Sequence, residues 1–386
     1  MPFSSRVGFF GIGESIDVPE WPTDPSWTQI ANEMSNWVAT SPPSGNTNDY
    51  GLTWTGANPY RDGVSHPNGN VYFIPRDATS VIEFDPVGNV ATNQTFTRNW
   101  TANNNSYAGG VLADDGIIYC IPYNESHVLK LDPTTYTSSE ITLGYVPKLA
   151  SGIKASNGKI YCVPGDTING ANVLIIDPDA NTATVSNMQI NGGVQEFGTK
   201  YQGATRGPDN RLYFAPADTL DICVIDPTND TLVETDYGYT ITGSTLRYMG
   251  AATASNGKII FAPFNAGKVM VLDTQSNTLS QPFTIAGAKS QGAVTGSDGN
   301  VHCIPWTTST YIRYNPTDDS ATTIDAGIGS FQAIGGVIDK NGNLVYASED
   351  DDNENIAVID LFGSGWSDAE TANSAFLSPW INKGAT

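Results

Sequence analysis

The 386-residue chain carries 40 acidic against 18 basic side chains, a formal net charge of −22, although only 15% of its residues are charged. Such a surface repels phosphate backbones and anionic lipid, so nucleic acid is excluded as a partner of the surface as a whole, and membrane insertion with it. No apolar run approaches the roughly 18 residues that a bilayer-spanning helix needs, while 39 Gly and 23 Pro suit many short strands joined by tight turns.

The amino-terminal stretch "MPFSSRVGFFGIGESIDVPEWP" lacks a long apolar core and a small-residue cleavage pattern, so it reads poorly as a secretion signal. Residues 1–49 are expected to form an extension that contains one short helix over 26–38. There Trp27, Ile30, Ala31, Met34 and Trp37 fall at helical spacing, and Ser26 with Gln29 makes a capping box. The apolar face, Trp27, Ile30, Met34 and Trp37, serves either to pack on the rest of the protein or to dock a partner. The Pro/Ser/Gly/Asn stretch from Ser41 to Asp49 reads as a linker.

From residue 50 to 361 the chain repeats. Seven related phrases follow one another: "NGNVYFIP" to Pro75, "DGIIYCIP" to Pro122, "NGKIYCVP" to Pro164, "DNRLYFAP" to Pro216, "NGKIIFAP" to Pro263, "DGNVHCIP" to Pro305 and "NGNLVYAS" to Ser348. Their spacings are 47, 42, 52, 47, 42 and 43 residues. Each phrase is followed by Asp85, Asp132, Asp177, Asp226, Asp273, Asn315 or Asp360, in most copies with Pro after it. Each is preceded by a small residue: Gly63, Gly110, Gly152, Ala204, Ala251, Ala293 or Gly336. A period near 45 with about four strands per unit predicts an all-β, seven-bladed β-propeller with four-stranded antiparallel blades.

In this reading the small residues lie on the innermost strand, where seven strands crowd the axis. Asn-Gly or Asp-Gly makes a two-residue hairpin, because Gly tolerates positive φ. The Tyr-rich phrase is the second strand, "IDP" ends the third, and a Thr-rich strand is outermost. Either "YGLTWTG" (Tyr50 to Gly56) or "SAFLSPWI" in the tail 362–386 supplies the outer strand of the last blade, the former preferred.

Cys120, Cys162 and Cys303 share a column of the second strand with Phe73, Phe214, Phe261 and Tyr346, and blades stack at about 10 Å. That distance exceeds disulfide reach, so all four cysteines, Cys223 included, are expected to be free and buried. His302 shares a column with Tyr72, Tyr119, Tyr161 and Tyr213 and is expected in the core; His66 and His127 fall elsewhere in the repeat.

Two columns mark a candidate ligand face where the variable loops gather. Four positions before the small residue stand Lys148, Lys200, Arg247 and Lys289, in four consecutive blades. This arc of cations near the channel mouth suits an anionic group such as an acidic sugar or a partner carboxylate. Pairing of the same cations with acidic loops is the structural alternative. Tyr107, Tyr201 and Tyr248 follow them as an expected aromatic lining. After the phrase-ending Pro come Tyr123, Phe264 and Trp306, aromatic bases able to stack on sugar rings or to pack under their own loops. The acidic run 349–354 is a candidate Ca²⁺ loop without EF-hand spacing; no other cofactor is expected.

The grammar "GxxxxNGKIYCVP" followed by "IDP" resembles seven-bladed propellers of the kelch, NHL and gluconolactonase-like superfamilies over residues 51 to 361. The paired glycines of kelch repeats are absent. The gluconolactonase resemblance implies a central metal held by Glu, Asn and Asp, a set not evident on the inner strands here. In general style the chain also resembles tail or appendage proteins of bacteriophages.

The first expectation is therefore a structural or adhesion propeller of a virus particle, assembled in the host cytoplasm. It would bind other virion proteins or a host surface glycan through its loop face. The alternatives are a metal-dependent hydrolase or lactonase working in the central channel, and a cellular interaction propeller.

Overall fold

The computed structural model describes residues 43–52, 58–97, 105–165, 171–191, 199–239, 245–285, 287, 289–308, 310–329, 331–348 and 355–361. These build seven antiparallel sheets, each ordered in sequence from an inner to an outer strand except the last. The chain is a seven-bladed β-propeller. The expected helix 26–38, with Trp27, Ile30, Met34 and Trp37, lies outside the described residues, as do the loop 349–354 and the tail 362–386.

Blade 3 shows how the repeated phrase folds. Leu149–Lys154 is innermost, Ile160–Pro164 second, Asn172–Asp177 third and Thr182–Gln189 outermost. The second strand is buried throughout because a neighbouring blade covers each of its faces. The outer strand alternates toward solvent, which accounts for its Thr-rich composition.

The hairpin between the first two strands is wider than a two-residue turn. Ala155 donates its N–H to the Lys159 carbonyl at 2.8 Å, and Gly158 donates back to the Ala155 carbonyl at 3.1 Å. Only Gly158 takes positive φ, at 80°. Asn157 keeps ordinary backbone geometry and its side chain does the holding: Oδ1 accepts from Lys159 N at 3.1 Å, and Nδ2 donates to Tyr161 Oη at 3.0 Å. The loop is therefore a three-residue turn with a glycine bulge. The Asp115–Tyr119 and Asp209–Tyr213 pairs repeat the side-chain bond at 2.9 and 2.8 Å. In blade 6 the same place is taken by His302, fully buried, with Nε2 2.8 Å from Asp298 Oδ1. In blades 1 to 5 the Asp that closes the third strand caps the next turn, as Asp132 Oδ1 does for Thr134 N at 2.8 Å, and Asn315 does the same in blade 6.

Ring closure comes from the amino-terminal side, but earlier than expected. Ser44–Asp49 pairs antiparallel with Asn355–Asp360 as the outer strand of blade 7. The segment first read as a linker is thus part of the propeller. It is polar because an outermost strand has solvent on one side, and its Gly45 N–H donates to the Ala326 carbonyl at 2.7 Å.

Blade-to-blade packing follows a size rule along the small-residue column. A Cβ placed on Gly110 would lie 2.8 Å from Ile74 Cδ1 of blade 1; one on Gly152 would lie 2.8 Å from Ile121 Cδ1 of blade 2; one on Gly336 would lie 2.8 Å from Ile304 Cδ1 of blade 6. Where the preceding blade offers Val163, Ala215 or Ala262 instead, the column carries Ala204, Ala251 and Ala293, each in the same core cluster as its partner. Gly63 departs from the rule: it faces the smaller Ala347 column, and Val337 and Phe73 occupy the space. A second exchange of sizes sits beside it. Tyr60, Tyr107, Tyr201 and Tyr248 pack on Ile356, Val81, Val173 and Ile222 of the preceding blade. Between blades 6 and 7 the large and small partners trade places as Tyr311 and Ala333.

All four cysteines are free and fully buried, and burial pushes the Cys303 thiol up to about 12. Among the described residues no helix is long and apolar enough to cross a membrane.

Two outcomes follow from this packing. Gly152→Ala drives a methyl into Ile121 and Cys162 and should cost about 1–3 kcal/mol in urea denaturation. Adding Ile121→Ala should recover about 1 kcal/mol or more of the sum of the single costs, as in a double-mutant cycle; strict additivity would contradict the size rule. The second concerns Asp339, in the blade 7 hairpin, whose carboxyl burial raises to about 6 from 3.8. A raised carboxyl favours the protonated native state, so its contribution to stability grows as pH falls through 6 and is complete below the unfolded value near 3.8. The wild type should gain stability relative to Asp339→Asn between pH 7 and 5; parallel stability–pH curves would refute this.

Candidate functional site

On the loop-bearing rim the two marked columns meet in every blade where both are described. The residue after the Pro donates its N–H to the carbonyl of the cation column of its own blade. The distances are 2.8 Å for Tyr123 to Ser106, 2.6 Å for Gly165 to Lys148 and 2.9 Å for Ala217 to Lys200. Phe264 to Arg247 and Trp306 to Lys289 are each 2.8 Å. Bonds between blades extend the belt, from Ser106 N to Arg76 O at 2.7 Å and from Arg247 N to Ala217 O at 2.8 Å. The rim is rigid for this reason: each column residue is tied by its backbone and only its side chain is free to vary.

Below the rim the inner strands touch backbone to backbone. A Cβ on Gly203 would fall 2.5 Å from Gly250 Cα, one on Gly250 2.6 Å from Gly292 Cα, and one on Gly292 2.9 Å from Gly335 Cα. Only a residue without Cβ allows this approach, and Gly203, Gly250 and Gly292 also take positive φ. This contact sets Lys200, Arg247 and Lys289, three residues upstream of each glycine, side by side on blades 4, 5 and 6.

The four cations do not share one fate. Lys148 lies over the ring of Tyr123, 4.8 Å from its centroid, and donates to Asn124 Oδ1. Lys289 lies over both Phe264 and Trp306, at 5.0 and 5.7 Å, and those two rings sit 4.9 Å apart. Neither lysine has a carboxylate within ion-pair distance among the described residues, and both are half-buried. Lys200 instead turns onto Glu234, whose side chain is 4% exposed, and also donates to the Asn191 carbonyl. One terminal nitrogen of Arg247 is buried.

The difference follows the post-Pro residue of the preceding blade. Tyr123 precedes Lys148 and Phe264 precedes Lys289, so each ammonium finds a ring face at the rim. Gly165 precedes Lys200 and Ala217 precedes Arg247, so neither finds a ring from the preceding blade; Lys200 lies 5.5 Å from the centroid of Tyr201, its own buried neighbour, and turns onto Glu234. The sequence columns located the cations, whereas the aromatic that presents or withholds each one belongs to the neighbouring blade.

The expected aromatic lining does not form. Tyr107, Tyr201 and Tyr248 are fully buried between blades. Their hydroxyls bond to His127 Nε2 at 2.8 Å, to Glu234 Oε1 at 2.6 Å and from Gln281 Nε2 at 2.7 Å. A bulge between each Tyr and its small residue turns the ring away from the channel and into the blade contact. Burial pushes the Tyr201 and Tyr248 phenols upward, so they stay neutral. Trp306 differs from its column mates because the second strand of blade 6 runs on to Thr308, where Trp306 pairs with Gln332. Glu234, which neutralises Lys200, was missed in sequence; it sits on an outer strand, 34 residues from its partner.

Among the described residues no group of three or more His, Cys, Asp or Glu side chains is placed to hold a metal ion.

No protein family and no curated relative matches the chain. Solved structures do. A streptogramin B lyase is 16% identical with a TM-score of 0.65, over 82% of this chain and 98% of that one. The virginiamycin B lyase from Staphylococcus aureus is 14% identical, TM-score 0.67, over 83% and 99%. The extracellular domain of a hybrid two-component system from B. thetaiotaomicron is 13% identical, TM-score 0.59, over 84% of this chain and 42% of that chain. At these identities the likeness is one of fold.

The two classes of lysine should separate in urea denaturation. Glu234→Ala strands the buried Lys200 and should cost about 3 kcal/mol or more. Lys289→Met should change stability by no more than about 1 kcal/mol, the size of a cation–π contact whose ammonium still reaches water. Equal costs would refute the distinction between an inward and a presented cation.

Proposed function

We propose that the protein is a recognition propeller, a structural or adhesion module that binds a partner protein or a glycan through its loop-bearing rim. The observation that carries this reading is the pair of lysines, Lys148 and Lys289, resting on aromatic rings at that rim without a carboxylate partner among the described residues. In a chain of net charge −22, cations left available in this way suit an anionic group brought by something else. Tyr123 and Trp306, half-buried beside them, are of the residue types that most often anchor an interface, whereas Phe264 is buried beneath Lys289.

The setting expected from sequence was a virus particle, with other virion proteins or a host glycan as partners. The structures resembled are a lyase and the extracellular domain of a two-component system, which lend no support to that setting. The proposal is therefore confined to recognition through the rim. The lyase likeness is one of fold and assigns no reaction to this chain.

Immobilised protein presented with a glycan panel and with lysate of the source cells tests the reading. Tyr123→Ala and Trp306→Ala should each weaken capture at least tenfold. Lys258→Ala, whose ammonium pairs with Asp319 on the opposite, hairpin-bearing face, should leave capture unchanged. Loss with Lys258→Ala and none with the rim variants would overturn it.

A further inference from the structure

Resting on the rim reading, we propose that Lys148 and Lys289 form two equivalent seats for one polymeric acidic glycan, a chain of carboxylate-bearing sugars that crosses the rim and engages both.

The seats share a construction. In each, the lysine of one blade lies over the post-Pro ring of the blade before it: Lys148 of blade 3 over Tyr123 of blade 2, and Lys289 of blade 6 over Phe264 of blade 5. Each is tied to the rim by a backbone bond at its own carbonyl, from Gly165 N at 2.6 Å and from Trp306 N at 2.8 Å. The two positions lie three blades apart on the same face. Between them Lys200 is neutralised by Glu234 and Arg247 has a buried terminal nitrogen. The arc of four cations is thus two presented charges with a gap, not a continuous positive patch.

That spacing decides the ligand class. A single small anion engages one seat, but a repeating polyanion engages both at once, and the second contact is then intramolecular. Linked binding of this kind raises affinity by ~10²–10⁴ without any new contact. A half-buried ring beside each ammonium, Tyr123 in one seat and Trp306 in the other, suits a uronate sugar, which offers a C–H face as well as a carboxylate. A flexible acidic peptide offers the charge without the face.

The test is titration calorimetry of the full chain with galacturonate and with oligogalacturonates of two to ten units. Maltooligosaccharides serve as the neutral control and poly-glutamate as the acidic-peptide control. Affinity should rise at least tenfold once the oligomer spans the seats. Lys148→Met and Lys289→Met should each abolish that rise while leaving weak binding of the monomer at the remaining seat. Thermal melts of both variants should match the wild type, and Phe264→Leu, which removes the ring but keeps an apolar side chain, should behave as Lys289→Met does.

Affinity independent of length, or unaltered by either lysine variant, overturns the proposal. Poly-glutamate binding as tightly as the longest oligomer does so too, in favour of an acidic protein. Neutral oligosaccharide binding lost with Trp306→Ala but indifferent to both lysines would overturn the two seats and leave the rim reading standing. Failure of every glycan and of lysate capture would remove both.

Discussion

Everything in this molecule depends on how closely seven inner strands can approach one axis. On the open side of the ring the limit is set by backbone meeting backbone at Gly203, Gly250 and Gly292, where a single methyl would collide with the next strand. One step outward the limit is set by side-chain volume. Ile74, Ile121 and Ile304 face glycines, while Val163, Ala215 and Ala262 face alanines. A larger side chain on one blade thus goes with a glycine on the next and a smaller one with an alanine, Gly63 excepted, as close packing favours. The exchange of Tyr311 for the missing tyrosine at Ala333 is the same compensation on a larger scale.

Rigidity at the axis has a consequence at the rim. Because backbone bonds tie each cation-column carbonyl to the residue after the Pro, side-chain identity is the only variable left in those positions. A lysine resting on a ring of the preceding blade stays half-exposed at the rim, whereas Lys200, beside only its own buried Tyr201, is drawn onto Glu234. The chemistry presented at the rim is therefore set by pairs of residues from adjacent blades, such as Tyr123 with Lys148 and Phe264 with Lys289.

Much of this was legible in sequence. Three markers recurring in register revealed the blade count, the order of strands and the burial of the cysteines, since each marker answers a local physical need. The Asn or Asp of the hairpin holds a turn and a Tyr hydroxyl; the Asp after the third strand caps the next turn; the small residue makes room at the axis. Where a residue's role depended on its neighbour across a blade contact, the reading failed. Tyr107, Tyr201 and Tyr248 shared a column with the cations and were expected to share their exposure, but a bulge on the inner strand sends them into the core. Ser44–Asp49 carried linker composition because an outer strand with one wet face has the same composition.

The sequence by itself determined the period, and with it the propeller, because hairpin turns and strand burial are local and repeat every blade. The tertiary structure alone decided which cations remain at the surface, which tyrosines are sealed, and which strand closes the ring. Those outcomes turn on contacts between residues a whole blade or more apart, such as Lys200 with Glu234 and Ser44–Asp49 with Asn355–Asp360. A repeat records what each blade needs for itself; what two blades need from each other appears only when they are stacked.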